Sequence, residues 1–335
     1  MSIGKLLQID IRLSPQFCKG PLEPDVSTQV LGQYFDAPFG IAPVGLSGLM
    51  WPKAELMLAQ TAVRYNIPYS LSTVATETPE AVGELVGQQG WFQLYPPKEK
   101  EMRADILRRA QNAGFHTLLV TADVPTPSRR ERSRRAGLQS PPKINADFIW
   151  QALTHPLWTW QTLNRGIPRL RTIEAYLEAD KSVGGFVQDE LRGNLTWEYC
   201  QELRDLWSGP ILLKGVMHPK DAEKAVAIGL DGIVVSNHGG RQFDGAPAAL
   251  SVLPEIVATV KGKTAILFDS GIRSGLDILR AYQQGAEFVL LGRAFLYGVA
   301  ALGKYGGDHV VEILLEQLKN NMIQLGIERL PGVNE

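Results

Sequence analysis

The sequence predicts an α/β fold, a (β/α)8 TIM barrel with a long insertion after the fourth strand. Eight short apolar runs alternate with helical patterns, and this order implies parallel strands joined by helices. A barrel of this kind needs about 250 residues, and the chain has 335. An open doubly wound sheet is the alternative, but no G-x-G-x-x-G sequence follows the first predicted strand.

Each predicted strand is a short apolar run that ends in a glycine or a polar turn. The strands are Phe39–Val44, Ile67–Thr73, Gly90–Tyr95, Thr117–Asp123, Ile211–Val216, Gly232–Asn237, Ala265–Asp269 and Phe288–Leu291. The patterns between most of them have helical spacing. These predicted helices are Lys53–Tyr65, Pro79–Val86, Lys98–Ala113, Pro219–Ala227, Ala248–Val260 and Gly275–Gln283.

Two segments lie outside this alternation, although we expect residues 1–335 to form one domain. Residues 1–38 are rich in proline and are predicted to be irregular. Residues 124–196 form an insertion that would lie over the mouth of the barrel, and connections of this length are usually functional or mobile. The insertion contains the Trp-rich segment Phe148–Leu163, which is interpreted as a lid over the mouth or, less favoured, as a membrane contact.

The composition excludes several classes of protein. A net charge of -1 and 44% hydrophobic residues are typical of a globular protein and argue against general binding of nucleic acid. Cys18 and Cys200 are far apart and predict neither a disulfide framework nor a metal site, which fits a reducing, cytoplasmic compartment. The first 16 residues contain no apolar core typical of a signal peptide, and the chain has no 18-residue apolar run.

The carboxyl ends of the strands of such a barrel converge on one mouth, where active sites lie. His238 and Arg241 follow the sixth predicted strand and present an acid–base group beside a carboxylate anchor. Asp123, at the end of the fourth, can pair with His238 and fix the orientation of its ring. The alternatives are a surface loop for His238 and Arg241 and a turn aspartate for Asp123.

The last two strands predict a phosphate site, because their loops hold the phosphate in many barrels. Gly271 and Gly292 permit close approach of the backbone, and Arg273 and Arg293 can pair with the phosphate unless they are ordinary surface arginines. Lys214, on the fifth strand, needs an anionic partner if it is buried, and it lies at the solvent edge otherwise.

Several motifs occur together in one order. The chain resembles the FMN-dependent α-hydroxy-acid dehydrogenase/oxidase family, which includes glycolate oxidase, lactate oxidase and mandelate dehydrogenase. The resemblance extends from about Asp25 to about Gly298. It rests on the segments Gly232–Gln242, Trp91–Tyr95, Leu212–Val216 and Asp269–Arg273.

The resemblance implies that FMN is the cofactor and that a 2-hydroxy acid is oxidised to the 2-keto acid. His238 would be the base and Asp123 would stabilise its imidazolium, while Arg241 and Arg130 would hold the substrate carboxylate and Tyr95 would contact the substrate. Alternatively, Arg130 belongs to a solvated run of charged residues, and Tyr95 serves only in packing. The residues implied at the cofactor are Pro43, Val44, Gly45, Ser72, Gln93, Thr121, Lys214, Ser236, Asp269, Gly271, Arg273, Gly292 and Arg293.

The resemblance leaves the electron acceptor open between oxygen, a quinone and another carrier, and it implies a homo-oligomer, often a tetramer. Two departures bear on the substrate. The family usually has a substrate-binding tyrosine well before the position of Asp25, and the first tyrosine here is Tyr34. Gly45 is typical of the mandelate branch, so a missing methyl group would leave room for a bulky or aromatic substrate.

Three other functions stay open at this point. One is another FMN barrel enzyme, such as type 2 isopentenyl diphosphate isomerase, although the pair His238 and Arg241 favours hydroxy-acid chemistry. The second is a flavoprotein that acts on a larger hydroxylated metabolite or a carrier-tethered acid, which the missing tyrosine would suit. The third is a catalytically silent flavin-binding protein, which would not need His238, Arg241 and Asp123 together.

Overall fold

The structure is a computed structural model and describes residues 11–128, 135, 145–177 and 183–331. Its strands are β1 (Thr28–Val30), β2 (Gln33–Phe35), β3 (Phe39–Ile41), β4 (Tyr69–Ser72), β5 (Gly90–Leu94), β6 (Thr117–Thr121), β7 (Ile211–Val216), β8 (Gly232–Val235), β9 (Ala265–Phe268) and β10 (Phe288–Leu291). Strands β3 to β10 pair in sequence order, all parallel, and β10 pairs with β3 to close the barrel. The predicted (β/α)8 barrel is therefore confirmed.

The helices cover the outside of the barrel or lie in the insertion. They are α1 (Ala54–Arg64), α2 (Pro79–Val86), α3 (Lys100–Asn112), α4 (Ala146–Thr154), α5 (Pro156–Arg165), α6 (Val183–Glu190), α7 (Trp197–Leu206), α8 (Pro219–Ala227), α9 (Ala249–Val260), α10 (Gly275–Gln283), α11 (Arg293–Leu302) and α12 (Gly306–Leu325). Helix α2 begins where Thr78 accepts a hydrogen bond from the backbone N–H of Ala81, and Pro79 occupies the first turn.

The predicted strands lie where the sequence places them, but several end earlier than predicted. The pairing of β3 stops at Ile41, that of β5 at Leu94 and that of β6 at Thr121. Ala42 and Ala122, the next residues after β3 and β6, still donate their backbone N–H groups to Leu291 and Lys214 of the neighbouring strands, but the strands end there. A short apolar run therefore predicts the position of a strand better than its end.

The prediction that residues 1–38 are irregular was wrong for part of this segment. Strands β1 and β2 form an antiparallel hairpin, and its turn consists of Leu31 and Gly32 at φ 53° and 76°. A two-residue hairpin turn needs positive φ at both positions. The turn has leucine where asparagine is usual, and leucine rarely adopts positive φ. The sequence therefore gives no signal for this hairpin.

The hairpin closes the amino-terminal end of the barrel. The ring of Phe35 lies 6.3 Å from that of Trp91 and 5.8 Å from that of Phe288, at the starts of β5 and β10. Val30 and Phe35 belong to the apolar cluster inside the barrel, together with Leu119 and other side chains of the strands. The interior is therefore packed at this end, and polar side chains collect at the opposite, carboxyl end.

The insertion between β6 and β7 contains α4, α5 and α6, and its Trp-rich segment lies on α4 and α5. Trp158 donates a hydrogen bond to the carbonyl oxygen of Leu49, which follows β3, over a distance of 3.3 Å. Within the described ranges, no helix has both the length and the apolar character to cross a membrane.

Candidate active site

A histidine–aspartate pair lies at the mouth of the barrel. Asp123 follows β6 and His238 follows β8, and the distance from Oδ1 of Asp123 to Nδ1 of His238 is 2.9 Å. A carboxylate accepts hydrogen bonds, so Nδ1 of His238 carries the hydrogen and Nε2 is the nitrogen that can take up a proton. The structure thus brings together two residues that are 115 positions apart.

The backbone around this pair holds the imidazole in place. His238 has φ 56°, a left-handed conformation that is uncommon for residues other than glycine, and its N–H donates to Oγ of Ser236 over 3.0 Å. Gly215 lies beneath Asp123, where an added Cβ would come within 2.5 Å of the aspartate Cβ. Both features indicate that the position of the ring is fixed by the fold.

A buried ion pair lies below the histidine. Nζ of Lys214 is 2.5 Å from Oδ2 of Asp269 and donates to Oγ of Ser236 over 3.1 Å. Lys214 is 5% exposed and Asp269 7%. Burial lowers the pKa of Lys214, but the carboxylates of Asp269 and Asp123 outweigh it, so that the pKa is raised. Burial raises the pKa of Asp269, yet Lys214 lowers it below its ordinary value.

Three buried polar side chains form a hydrogen-bonded row across the ends of β4, β5 and β6. Oγ of Ser72 donates to Oε1 of Gln93 over 2.6 Å, and Nε2 of Gln93 donates to Oγ1 of Thr121 over 2.8 Å. Buried polar groups are costly unless they are bonded. The row thus offers fixed donors and acceptors to the edge of a planar ring.

Ser270 connects the groups near His238 and is a residue that the sequence analysis did not identify. Its Oγ accepts hydrogen bonds from the N–H groups of Asn237 and Gly239, at 3.2 and 3.0 Å, and donates to Oδ1 of Asp269 over 2.9 Å. Ser270 has φ 87°, and this conformation follows from tertiary contacts that a serine in a glycine-rich turn does not reveal.

Two half-buried arginines follow the last two strands. Nη2 of Arg293 donates to the carbonyl oxygen of Gly239 over 3.0 Å, and Nη1 of Arg273 donates to that of Ile272 over 2.8 Å. Burial lowers the pKa of both guanidinium groups, and the charge of Arg293 lowers that of Arg273 further. Arg273 precedes α10 and Arg293 begins α11, and two neighbouring guanidinium groups of this kind suit an anion.

The loop after β3 closes the site from the opposite side. An added Cβ on Gly292 would come within 3.2 Å of Cγ2 of Val44, and one on Gly45 within 2.6 Å of Cγ2 of Val74. An alanine at position 45 would therefore meet Val74, and the expectation that Gly45 leaves room for a bulky substrate stays a prediction. Val74 occupies the space of the missing methyl group.

We expect Gly45→Ala to lower the free energy of unfolding by about 1–3 kcal/mol, because the new methyl group meets Val74 in a packed region. Thermal unfolding measures this loss. The double variant Gly45→Ala/Val74→Ala should recover most of it. Gly184→Ala is the matched control, because an added Cβ on Gly184 meets nothing within 4 Å. Equal stability of Gly45→Ala and the unaltered protein would contradict this account.

The remaining predicted residues lie around the mouth. Tyr95 follows β5, is half-buried and donates its backbone N–H to Oγ1 of Thr73 over 3.1 Å. Arg241 is exposed, three residues after His238. Arg130 lies outside the described residues, so its predicted role at the substrate carboxylate stays a prediction.

Comparison with known proteins agrees with this geometry. The sequence profile of a family described as FMN-dependent dehydrogenase matches residues 9–335. The chain belongs to this family. It is 38% identical to an L-lactate dehydrogenase of Xanthobacter autotrophicus over 331 residues, which are 97% of this chain and 84% of that protein. An L-lactate dehydrogenase of Ectopseudomonas mendocina is 37% identical, with 97% and 86% covered.

Solved structures of family members have the same fold. The crystal structure of the monotopic membrane protein (S)-mandelate dehydrogenase superposes with a TM-score of 0.90 at 32% identity, over 98% of this chain and 88% of that one. A mandelate oxidase gives a TM-score of 0.82 at 31% identity, over 98% and 86%. The chain is thus an FMN-dependent oxidoreductase that acts on 2-hydroxy acids.

The site fits FMN. The row of Ser72, Gln93 and Thr121 is buried and polar, as the edge of the flavin ring requires. The half-buried guanidinium groups of Arg273 and Arg293 suit the phosphate.

Proposed function

We propose that His238 is the base in the oxidation of a 2-hydroxy acid to the 2-keto acid. The observation that carries this proposal is the 2.9 Å contact between its Nδ1 and Asp123. Asp123 orients the ring and stabilises the imidazolium that forms when Nε2 takes up the substrate proton. Arg241, three residues on, and Arg130 hold the substrate carboxylate, and Tyr95 contacts the substrate.

The substrate loses two electrons and two protons in this reaction, one proton from C2 and one from its hydroxyl group. FMN, when it is bound, accepts the two electrons and one of the protons. His238 takes the other proton. Lys214 holds a positive charge at the bottom of the mouth, where it favours negative charge on a neighbouring group.

The residues around the cofactor divide by chemistry. Ser72, Gln93, Thr121 and Ser236 supply hydrogen bonds to the ring, with help from the backbone of the segment 43–45. Asp269 binds the ribityl chain and fixes Lys214. The phosphate is held by the pair of arginines and by two glycines that permit close backbone approach: Gly271, Arg273, Gly292 and Arg293.

Anaerobic reduction tests this function. Oxidised flavin has an absorption band near about 450 nm, which is a property of the flavin ring itself. We expect one of glycolate, L-lactate, the two mandelates and 4-hydroxymandelate to bleach this band. Admission of air then separates an oxidase from a dehydrogenase. Bound flavin that no acid bleaches would contradict the proposal and favour the larger substrate or the silent flavoprotein.

We also propose that the enzyme contacts a lipid bilayer through α4 and α5. The exposed fractions of Trp150, Trp160 and Leu163 are 68%, 63% and 74%. The nearby Arg165 is exposed and cationic. Interfacial tryptophan and leucine with adjacent positive charge suit an anionic membrane surface. A related structure, (S)-mandelate dehydrogenase, is a monotopic membrane protein.

We expect the protein to sediment with vesicles that contain phosphatidylglycerol. The double variant Trp150→Ser/Trp160→Ser should lose most of this binding, because two amphipathic anchors are removed. Phe17→Ser is the control, since Phe17 is 69% exposed but lies in the amino-terminal segment. Equal sedimentation of both variants would place the membrane contact elsewhere.

A further inference from the structure

The turn that carries His238 has an uncommon backbone conformation. His238, Gly239 and Gly240 follow one another with φ of 56°, 66° and 68°. In a residue other than glycine, such a conformation persists where surrounding contacts impose it. The N–H of Ser236 still donates to the carbonyl oxygen of Val216 in β7, over 3.3 Å, and beyond this point side chains hold the turn.

Two serine hydroxyl groups accept hydrogen bonds from the next three backbone N–H groups. Those of Asn237 and Gly239 donate to Oγ of Ser270 over 3.2 and 3.0 Å. That of His238 donates to Oγ of Ser236 over 3.0 Å. Ser270 therefore binds the backbone on both sides of the base, from a position two residues beyond β9.

A carboxylate orients the hydroxyl group of Ser270. Its single hydrogen goes to Oδ1 of Asp269 over 2.9 Å, which leaves both lone pairs for the two N–H groups of the turn. Oγ of Ser236 lies 3.5 Å away, beyond the distance of an ordinary O–H···O hydrogen bond. The hydrogen-bonding capacity of Ser270 is thus fully used.

These hydrogen bonds form a closed ring with the buried ion pair. Asp269 accepts from Ser270 at Oδ1 and pairs with Lys214 at Oδ2. Lys214 donates to Ser236, which in turn accepts from the N–H of His238. The turn that carries the base therefore rests on the same carboxylate as the cation at the bottom of the mouth.

Ser270 occupies a position whose backbone favours glycine. Its φ is 87°, and glycine adopts such a value at a lower cost than serine does. The hydroxyl group is what serine adds at this position. Strain at a residue whose side chain makes three hydrogen bonds points to a role for that side chain.

We propose that Ser270 is a positioning residue for the base: its hydroxyl group holds the turn after β8 so that Nε2 of His238 faces the substrate. This inference rests on the proposed role of His238. Ser270 acts on the backbone of the histidine, whereas Asp123 acts on its ring. The first contact fixes the place of the residue, and the second fixes the orientation of the imidazole.

The proposed carboxylate anchor is held by other contacts. The N–H of Gly240 donates to Oδ1 of Asn237 over 3.0 Å, and Nε2 of Gln242 donates to the carbonyl oxygen of Thr126 over 3.3 Å. Arg241 lies between these two contacts, neither of which involves the serine hydroxyl group. Loss of that hydroxyl group should therefore affect the chemical step more than the binding of substrate.

The test compares Ser270→Ala with Ser270→Gly, which both lack the hydroxyl group. Glycine suits the φ of 87° and alanine does not, so a loss common to both variants belongs to the hydroxyl group. We expect each variant to lower the limiting rate of anaerobic flavin reduction by about 5- to 50-fold, and to change the half-saturating substrate concentration by less than about threefold. Cys18→Gly is the matched control, because Cys18 has φ 64° in the amino-terminal segment, and it should change neither value.

A double-variant cycle separates positioning of the base from a role at the cofactor. If Ser270 acts through His238, adding Ser270→Ala to His238→Asn should lower the remaining rate by less than about twofold, because the base is already absent. A role at the cofactor would add its full loss. FMN content and thermal unfolding of each variant are measured alongside, and we expect the FMN content to be unchanged.

Amide hydrogen exchange tests the same contacts without turnover. In the FMN-bound protein, the N–H groups of Asn237 and Gly239 should exchange at least about tenfold faster in Ser270→Ala, because their acceptor is removed. The N–H of Asp269, which donates to the carbonyl oxygen of Val235, should exchange at an unchanged rate.

Four results would overturn the inference. They are unchanged exchange of both N–H groups, a full rate in both variants, a full rate in Ser270→Gly beside a loss in Ser270→Ala, and a fully additive loss in the His238→Asn background. The third would indicate backbone strain alone, and the fourth a role at the cofactor. If His238→Asn itself keeps the full rate, or no 2-hydroxy acid reduces the flavin, the proposed function fails instead, and the exchange experiment still decides whether Ser270 holds the turn.

Discussion

Replacement of His238 by asparagine is expected to lower the rate of flavin reduction by a 2-hydroxy acid by about 10²- to 10⁴-fold, the usual contribution of a general base. Asparagine is the suitable substitution because His238 has φ 56°, and asparagine tolerates this conformation better than most residues. Its amide can also donate to Asp123. The variant thus removes the base and disturbs the backbone little.

Stopped-flow absorbance under anaerobic conditions measures this rate. His218→Asn is the matched control, because His218 caps the start of α8 by accepting from the N–H of Lys220, and asparagine is also a good cap. We expect it to leave the rate unchanged. A His238→Asn variant that binds FMN and keeps the full rate would refute the assignment of the base.

Replacement of Lys214 by methionine is expected to lower the free energy of unfolding by about 3–5 kcal/mol, because the carboxylate of Asp269 is then buried without its partner. Asp269 is 7% exposed and its carboxylate lies 2.5 Å from Nζ of Lys214. Chemical denaturation measures this loss. The double variant Lys214→Met/Asp269→Asn should be more stable than Lys214→Met alone, because it leaves no unpaired charge.

The effect of Lys214→Met should depend on pH. In the unaltered protein the pKa of Asp269 is lowered, so its contribution to stability is present above the unfolded-state pKa and is lost as the pH falls through the folded-state value. Without Lys214, burial dominates and raises the pKa of Asp269. The variant then loses stability as the pH rises, so the difference between the two proteins is smallest in acid. An equal difference at all pH values would contradict this explanation.

Much of the fold was predictable because local signals agree with it. Each of the eight barrel strands is an apolar run with a turn behind it, and such runs are required where a parallel strand is buried on both faces. The hairpin of β1 and β2 was not predictable in this way. It depends on a leucine in a left-handed conformation, which is maintained by the packing of Phe35 inside the barrel.

The positions of the candidate site residues followed from one geometric rule. The carboxyl ends of parallel strands meet at one mouth, so Asp123 and His238 were expected to lie close together, and the structure places them 2.9 Å apart. The sequence could not reveal Ser270, whose hydroxyl group contacts three neighbours only because the fold gives it a positive φ.

The sequence by itself determined the barrel, the family, the cofactor and the order in which polar groups reach the mouth, because these depend on periodicity and on motifs that are contiguous in the chain. The tertiary structure decided which groups touch. It paired Lys214 with Asp269 and filled the space beside Gly45 with Val74. Such contacts join segments that are distant in sequence, and no local pattern specifies the distance between them.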